Sequence, residues 1–261
     1  MLSHVRVLST TISEHLSSGS DMRRELDALV AKLRAGYEDL AAVLRASDCE
    51  LPALRPANFK RNAFHVASAT FAATLIVLLV PYPWALVGVA IAFAGVCWTL
   101  ELLRRGRPDL NERLMHLFRH ISHPHEAHQV NSSTWYATAL VILALTHEPR
   151  LCLVGVTVLG LADPAAAIVG RRFGRLKLVN GRTLEGSLTF ALVGALSAFA
   201  ALSSLSGWIF EAASGWELAA ASVFGAVFGA VAELFSGRRV DDNMSIPLAS
   251  ALGAWLAFWL F

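Results

Sequence analysis

Asp163 sits inside an apolar stretch, and the chain then runs straight into a cluster of basic residues: Leu161-Ala162-Asp163-Pro164-Ala165-Ala166-Ala167-Ile168-Val169-Gly170-Arg171-Arg172-Phe173-Gly174-Arg175. A carboxylate at membrane depth costs about 2.5–3.5 kcal/mol on insertion scales, so such a group faces a polar cavity or a partner and is a functional candidate by default. Pro164 is expected to break the helix beside it, freeing backbone groups to line a cavity. The cations that follow can hold phosphates. A buried acid next to a basic run points to a membrane enzyme acting on phosphoryl groups.

More carboxylates and cations fall near the ends of apolar runs. Arg61 and His65 open the first run, Glu101 and Arg104 close the second, Glu233 lies near the end of the sixth, and Asp241-Asp242-Asn243 precede the seventh. Asp163, Asp241 and Asp242 supply oxygen ligands of the kind Mg2+ prefers, a few carboxylates completed by substrate phosphates. Asp241-Asp242-Asn243 reads equally well as the N-cap of the last helix, and one residue can cap while another binds metal. The loop from Arg171 to Ser187 carries Arg171, Arg172, Lys177 and Arg182, and Gly186-Ser187 opens a helix whose first amides can receive an anion. A plain basic loop on the cytoplasmic side has the same composition.

Other motifs are excluded. No GxxxxGK[ST] sequence is present, so the chain is not a P-loop enzyme. His116, His120, His123, His125 and His128 are close in sequence, but His125-Glu126-Ala127-His128 misses the HExxH spacing by one residue and Pro124 interrupts any regular face. Zinc catalysis is not expected there. His65 reads either as a base or phosphate ligand or as a structural hydrogen-bonding group. Cys49, Cys97 and Cys152 are scattered without a CxxC pair, which suits inert thiols.

The elements that must position these residues follow from hydropathy. Of 261 residues, 55% are apolar and only 16% charged, too few to cover a soluble surface of this size. Apolar runs of roughly membrane length fall at about 64–80, 84–103, 130–147, 151–170, 188–205, 216–235 and 246–261, the third being the weakest. The expected fold is an all-α bundle of about seven transmembrane spans over 58–261. A short interfacial helix is expected near 111–120. Residues 1–57 form a separate N-terminal segment, with an amphipathic helix over about 20–47 and a linker around Pro52 and Pro56. That helix can pack on the core, lie on the membrane or pair with a second copy, so a homo-oligomer stays open. The N-terminus lacks a signal-peptide pattern. Seven spans place Lys60, Arg61, Arg104, Arg105, Arg171, Arg172, Arg238 and Arg239 on one side, the positive-inside pattern. The N-terminus and the site are then expected to be cytoplasmic, with the C-terminus opposite. Gly225 and Gly229 form a GxxxG that suits close helix packing.

From about Lys60 onward the chain resembles the polyprenol and diacylglycerol kinases that use CTP, including dolichol kinase and phytol kinase. The matching pieces are Arg61-Asn62-Ala63-Phe64-His65, Glu101 with Arg104 and Pro108-Asp109-Leu110-Asn111, Glu126 with Ser133-Thr134-Trp135-Tyr136, Asp163 through Gly174, Asn180 through Ser187, and Glu233 with Asp241 through Pro247. Two positions depart from the family pattern: Ala162-Asp163 replaces Gly-Asp, and Gly181-Arg182-Thr183 replaces Gly-Lys-Ser/Thr. Arg keeps the charge but not the point-like ammonium geometry. Some of the same pieces look like phosphatidate cytidylyltransferase, although Asp241-Asp242-Asn243 is closer to the kinase branch.

The resemblance implies a Mg2+-dependent lipid kinase that transfers the γ-phosphate of CTP to the hydroxyl of a lipid alcohol, diacylglycerol or polyprenol. Asp163, Asp241 and Asp242 would lie near the metal. Arg61, Arg171, Arg172, Lys177, Arg182, Thr183, Gly186 and Ser187 would hold nucleotide and phosphate. Glu185, Glu233 or His65 would take the hydroxyl proton, and the sequence does not rank them. Glu101, Arg104, Glu126 and Asn243 would support the site. CDP-lipid synthesis and non-enzymatic anion or lipid transport are the alternatives.

Overall fold

The computed structural model describes residues 59–118, 126, 129–237 and 241–261, together with Leu29, Lys32, Leu33 and Gly36. The chain divides into two compact units, Met1–Pro56 and Ala57–Phe261. In the first unit the four described residues are helical, with Leu29 half-buried and the other three exposed. The rest of the expected amphipathic helix, His120, His123, His125 and His128, and Arg238 and Arg239 lie outside the described residues.

The second unit is all-α among the described residues. Its helices are α1 (Phe59–Leu79), α2 (Pro83–Gly106), α3 (Pro108–Leu117), α4 (Ser132–Leu145), α5 (Pro149–Thr157), α6 (Asp163–Phe173), α7 (Leu184–Leu205), α8 (Gly215–Phe235) and α9 (Asp242–Leu260). Their starts follow from local chemistry. Pro83, Pro108 and Pro149 occupy first turns, where a missing N–H costs nothing. Asn131, Thr183 and Asp241 cap α4, α7 and α9 through their side chains, and Ser214 with Glu217 forms a full capping box on α8.

Among the described residues six helices are long and apolar enough to cross a membrane, with α5 and α6 counted as one continuous rod from Pro149 to Phe173. The protein is an integral, multi-pass membrane protein. The third expected span is shorter than hydropathy suggests. Its helix α4 has 14 residues, about 21 Å at 1.5 Å per residue, against a hydrocarbon core of about 30 Å. The helix starts late because Asn131 caps it by accepting from the Ser133 amide.

Pro164 does not break its helix, contrary to the expectation from sequence. Instead the rod widens into a π turn over Val158–Ala162 and continues as α6. Proline lacks an N–H and its ring crowds the carbonyl four residues back, here Gly160; a wider turn gives that carbonyl room. Asp163 is the first residue after the π turn.

The rod is the centre of the packing, and every residue from Leu151 to Val156 is buried. Its neighbours approach through small residues. A Cβ on Gly160 would collide with Ala69 of α1, one on Gly155 would meet the Pro247 carbonyl of α9 at 2.7 Å, and one on Gly225 of α8 would meet Val154 at 2.7 Å. Gly229 faces Ser250, Phe190 and Val158, so the GxxxG serves packing. In lipid no hydrophobic effect drives helices together, and close backbone approach supplies the van der Waals contact instead. Gly160→Leu should therefore destabilise the bundle by about 1–3 kcal/mol through overpacking. Gly88→Leu, where nothing lies within 4 Å, should be neutral. Thermal midpoints in detergent, read by size-exclusion chromatography, compare the two.

Candidate active site

The basic loop after α6 folds back on itself. Lys177 and Thr183 pair as an isolated antiparallel bridge, Leu178 N donates to Arg182 O at 2.7 Å, and Leu184 N donates to Leu176 O at 2.9 Å. The reversal is made by Asn180 and Gly181, with φ of 55° and 73°. These are the residue types that tolerate left-handed backbone, in the order common in tight hairpins. The Asn180 side-chain amide donates to the carbonyls of Leu234 and Ser236 at 3.0 and 3.3 Å. That clamp fastens the loop to the end of α8.

The clamp delivers Arg182 to a group of carboxylates. Its guanidinium lies 2.9 Å from Glu233 Oε1 and 3.4 Å from Asp242 Oδ2, and donates to Ser236 Oγ at 3.4 Å. Asp163, half-buried at the start of α6, is close enough to feel the charges of Asp242, Arg182, Glu233 and Arg61. Loop, rod, α8 and α9 thus converge on one spot. Glu233 is buried, and its Oε2 has no hydrogen-bond partner among the described residues. Such an orphaned acceptor calls for an explanation. Two carboxylates, Glu233 and Asp242, share the single charge of Arg182 here.

Among the described residues no three His, Cys, Asp or Glu side chains gather closely enough to hold a metal ion by themselves. The expected trio Asp163, Asp241 and Asp242 is therefore not a preformed cage. Mg2+ bound with a nucleotide needs only one or two carboxylates, the rest coming from phosphate and water. Asp241 acts as the cap: its Oδ1 accepts from the Asn243 amide N–H and side-chain Nδ2, both at 2.9 Å, while Asp242 Oδ1 accepts from the same Nδ2 at 2.9 Å. Burial, and then the Asp242 carboxylate, push the Asp241 carboxyl up to about 6.

A second charge network lies beside the first and is closed. Arg104 donates to both oxygens of Glu101 at 2.9 Å, to Asn111 Oδ1 at 2.8 Å and to the carbonyls of Glu126 and Gln129. Glu101 also receives Arg105 and the Asn131 amide. Glu126 pairs with Arg61 at 3.2 Å and accepts from Asn131 and Ser132. Glu101 and Arg104 are 2% and 7% exposed. This network ties the end of α2 to α3 and to the start of α4, a holding role. Arg61 links the two networks, since it pairs with Glu126 and acts on Asp163.

Several expected binding residues are placed elsewhere. Arg171, Arg172 and Lys177 are exposed on the loop flank, with Arg172 over the Phe173 ring at 5.4 Å. Glu185 Oε1 accepts from the Leu176 amide at 3.4 Å and steadies the loop, and Glu185 is absent from the charges that act on Asp163. Thr183 caps α7 by accepting from the Gly186 amide at 3.2 Å. That amide is thus occupied, and Gly186 packs against Gly170 and the Ala166 carbonyl. Ser187 Oγ and Ser245 Oγ are buried without partners among the described residues. His65 lines a cavity beside Arg61. Sequence reasoning missed Asn180 as the clamp and Ser236 as a ligand of Arg182; the Asn-Gly pair was the available signal for the turn.

No family model matches the chain, and no solved structure matches it. Three curated proteins do. The chain is 26% identical over 179 residues to the CTP-dependent diacylglycerol kinase 1 of Saccharomyces cerevisiae and 25% identical over 209 residues to the protein of that name from Eremothecium gossypii. It is 33% identical over 130 residues to a probable chloroplastic phytol kinase of Triticum aestivum. The chain is thus similar to proteins named as CTP-dependent diacylglycerol kinases and to one named as a probable phytol kinase. The matches take in 60%, 74% and 48% of this chain, and 59%, 64% and 43% of the relatives, so the chain spans about half to two thirds of the relatives' length.

The two networks should respond differently to substitution. Arg104→Gln leaves a buried Glu101 without its main counter-charge and should cost about 3–5 kcal/mol. Arg105→Gln removes a half-exposed partner of the same carboxylate and should cost under about 1 kcal/mol. Thermal midpoints of the two variants measure the contrast.

Proposed function

We propose that the protein is a lipid kinase that transfers the γ-phosphoryl group of CTP, with Mg2+, to the hydroxyl of a lipid alcohol at the membrane. The observation that carries this reading is the pairing of Arg182 with both Glu233 and Asp242, with an unpartnered Glu233 oxygen. The relatives named as CTP-dependent and phytol kinases support the choice of nucleotide and acceptor class.

Asp163 and Asp242 would hold the cation. When bound, Mg2+ neutralises charge on the phosphate oxygens. Arg182 is the cation nearest the carboxylates and would balance negative charge as it shifts toward the leaving oxygen. In the reaction the alcohol oxygen attacks the γ-phosphorus. The bond from that phosphorus to the β–γ bridging oxygen breaks, and CDP leaves with the electron pair. Glu233 Oε2 receives the hydroxyl proton; Glu185 Oε2 is equally without a partner among the described residues, but Glu233 is the one that meets Arg182 beside Asp242. The exposed Arg171, Arg172 and Lys177 raise the local concentration of nucleotide by attraction. Basic residues at the same end as this site fit a cytoplasmic location for it and for the N-terminus, with the C-terminus opposite. Positioning and charge stabilisation supply the acceleration, as in phosphoryl transfer generally.

Purified protein in lipid nanodiscs, given Mg2+, each labelled nucleoside triphosphate and a total lipid extract, should yield CDP and a phosphorylated lipid from CTP. Pyrophosphate and a CDP-lipid would replace this reading with cytidylyl transfer. Asp163→Asn and Glu233→Gln should each lower kcat on the order of 10²–10³-fold, the loss typical of removing one electrostatic contact in a transition state. Both should still insert; Asp163→Asn should keep its thermal midpoint, whereas Glu233→Gln gives up the ion pair with Arg182 and should lower it. Unchanged turnover in Asp163→Asn would remove Asp163 from the site.

A further inference from the structure

A chamber of about 330 Å3 lies among α1, α2, α3, α4 and the π turn, beside the carboxylate cluster. We propose that this chamber is the acceptor site, where the lipid seats its uncharged hydroxyl end and the first part of one chain, and that it rejects a phosphorylated lipid. The proposal rests on the lipid-kinase reading above and adds the place of the acceptor.

The chamber is apolar along one wall and polar at one end. Phe64, Phe93, Val96 and Leu100 form the wall and are 45%, 43%, 58% and 43% exposed. In a membrane bundle such a wall is open to hydrocarbon, so an acyl or isoprenoid chain can enter sideways without crossing water. The volume is at the low end of the range for small-molecule sites, about 300–1,000 Å3. It suits a head and the start of one chain, with the remainder left in the bilayer.

The polar end explains the preference for a neutral group. Among the described residues, the guanidinium groups on the lining belong to Arg61 and Arg104, and each is already paired, with Glu126 at 3.2 Å and with Glu101 at 2.8 Å. Two cations face two carboxylates. A phosphate monoester would have to break one of these pairs, at the cost of leaving a buried carboxylate unpaired. A hydroxyl needs only a neutral donor and acceptor, and the lining has them. Tyr136 keeps a buried hydroxyl with no partner among the described residues. A tyrosine hydroxyl both donates and accepts, so this one group can serve a lipid hydroxyl in either sense.

The same end touches the phosphoryl site. Asn243 lines the chamber and holds Asp241 and Asp242 through its side chain, while Arg61 lines it and acts on Asp163. A hydroxyl at this end is therefore next to the carboxylate cluster.

Cys97, half-buried on the lining, is a native reporter. In a Cys49→Ser, Cys152→Ala background, maleimide labelling in phosphatidylcholine nanodiscs without nucleotide should slow when dioleoylglycerol or phytol is added, and should not slow with phosphatidic acid. Labelling unaffected by both alcohols, or slowed as much by phosphatidic acid, would overturn the proposal. Val96→Trp, placed on an exposed wall so that folding is spared, should raise KM for the lipid alcohol about tenfold or more, within the range a hydrophobic pocket discriminates, with KM for CTP unchanged. An unchanged lipid KM would also overturn it. Protection of Cys97 without any nucleotide turnover would retain the lipid site and sink the kinase reading, so the two fail separately.

Discussion

An ionised side chain inside a membrane bundle must be matched, and Arg182 is where the matching is concentrated. Its guanidinium meets Glu233 from α8 and Asp242 from α9, beside Asp163 from the central rod. Without that cation, carboxylates from three separate helices would face one another in a medium that solvates them poorly. Arg182 is brought there by the Asn180-Gly181 reversal, the Lys177–Thr183 bridge and the Asn180 side-chain clamp on the end of α8. An arginine suits this position, because its planar fork can address two carboxylates at once.

The rod that carries Asp163 imposes a second constraint. Glycine and alanine allow α1, α8 and α9 to approach its backbone closely, which leaves little freedom for its rotation. The π turn inserts an extra residue into the spiral and so resets the direction of every side chain after it. Asp163 follows that turn immediately. Its direction thus depends on Pro164, on the room Gly160 leaves for Ala69 of α1, and on the register of the whole rod.

The two charge networks differ in completeness, and the difference separates holding from chemistry. Around Arg104 each guanidinium nitrogen has a partner, and the carboxylate of Glu101 is met from three sides. Around Arg182, Glu233 keeps an oxygen in reserve, and acidic groups outnumber the guanidinium they share. A closed network rigidifies its surroundings and resists new ligands. An incomplete one, half-buried beside a chamber open to hydrocarbon, keeps an acceptor oxygen available to a new partner.

Hydropathy alone located the helices of the bundle, because a span must be a long apolar run whatever it packs against; the starts of α2, α5 and α8 fall within a few residues of the expected limits. Asp163 and Glu233 were legible as costly groups within apolar runs, and Asp242 as an acid at a helix start. Their partners were not. That Glu101 belongs with Arg104 in a closed network while Glu233 belongs with Arg182 depends on which helix ends meet, and nothing local in the chain encodes those meetings. The length of α4, the π turn in place of a break at Pro164, and the outward placement of Arg171, Arg172 and Lys177 were likewise decided in three dimensions. Burial cost is a property of a residue and its neighbours in sequence, whereas pairing is a property of distance, which only the packed helices determine.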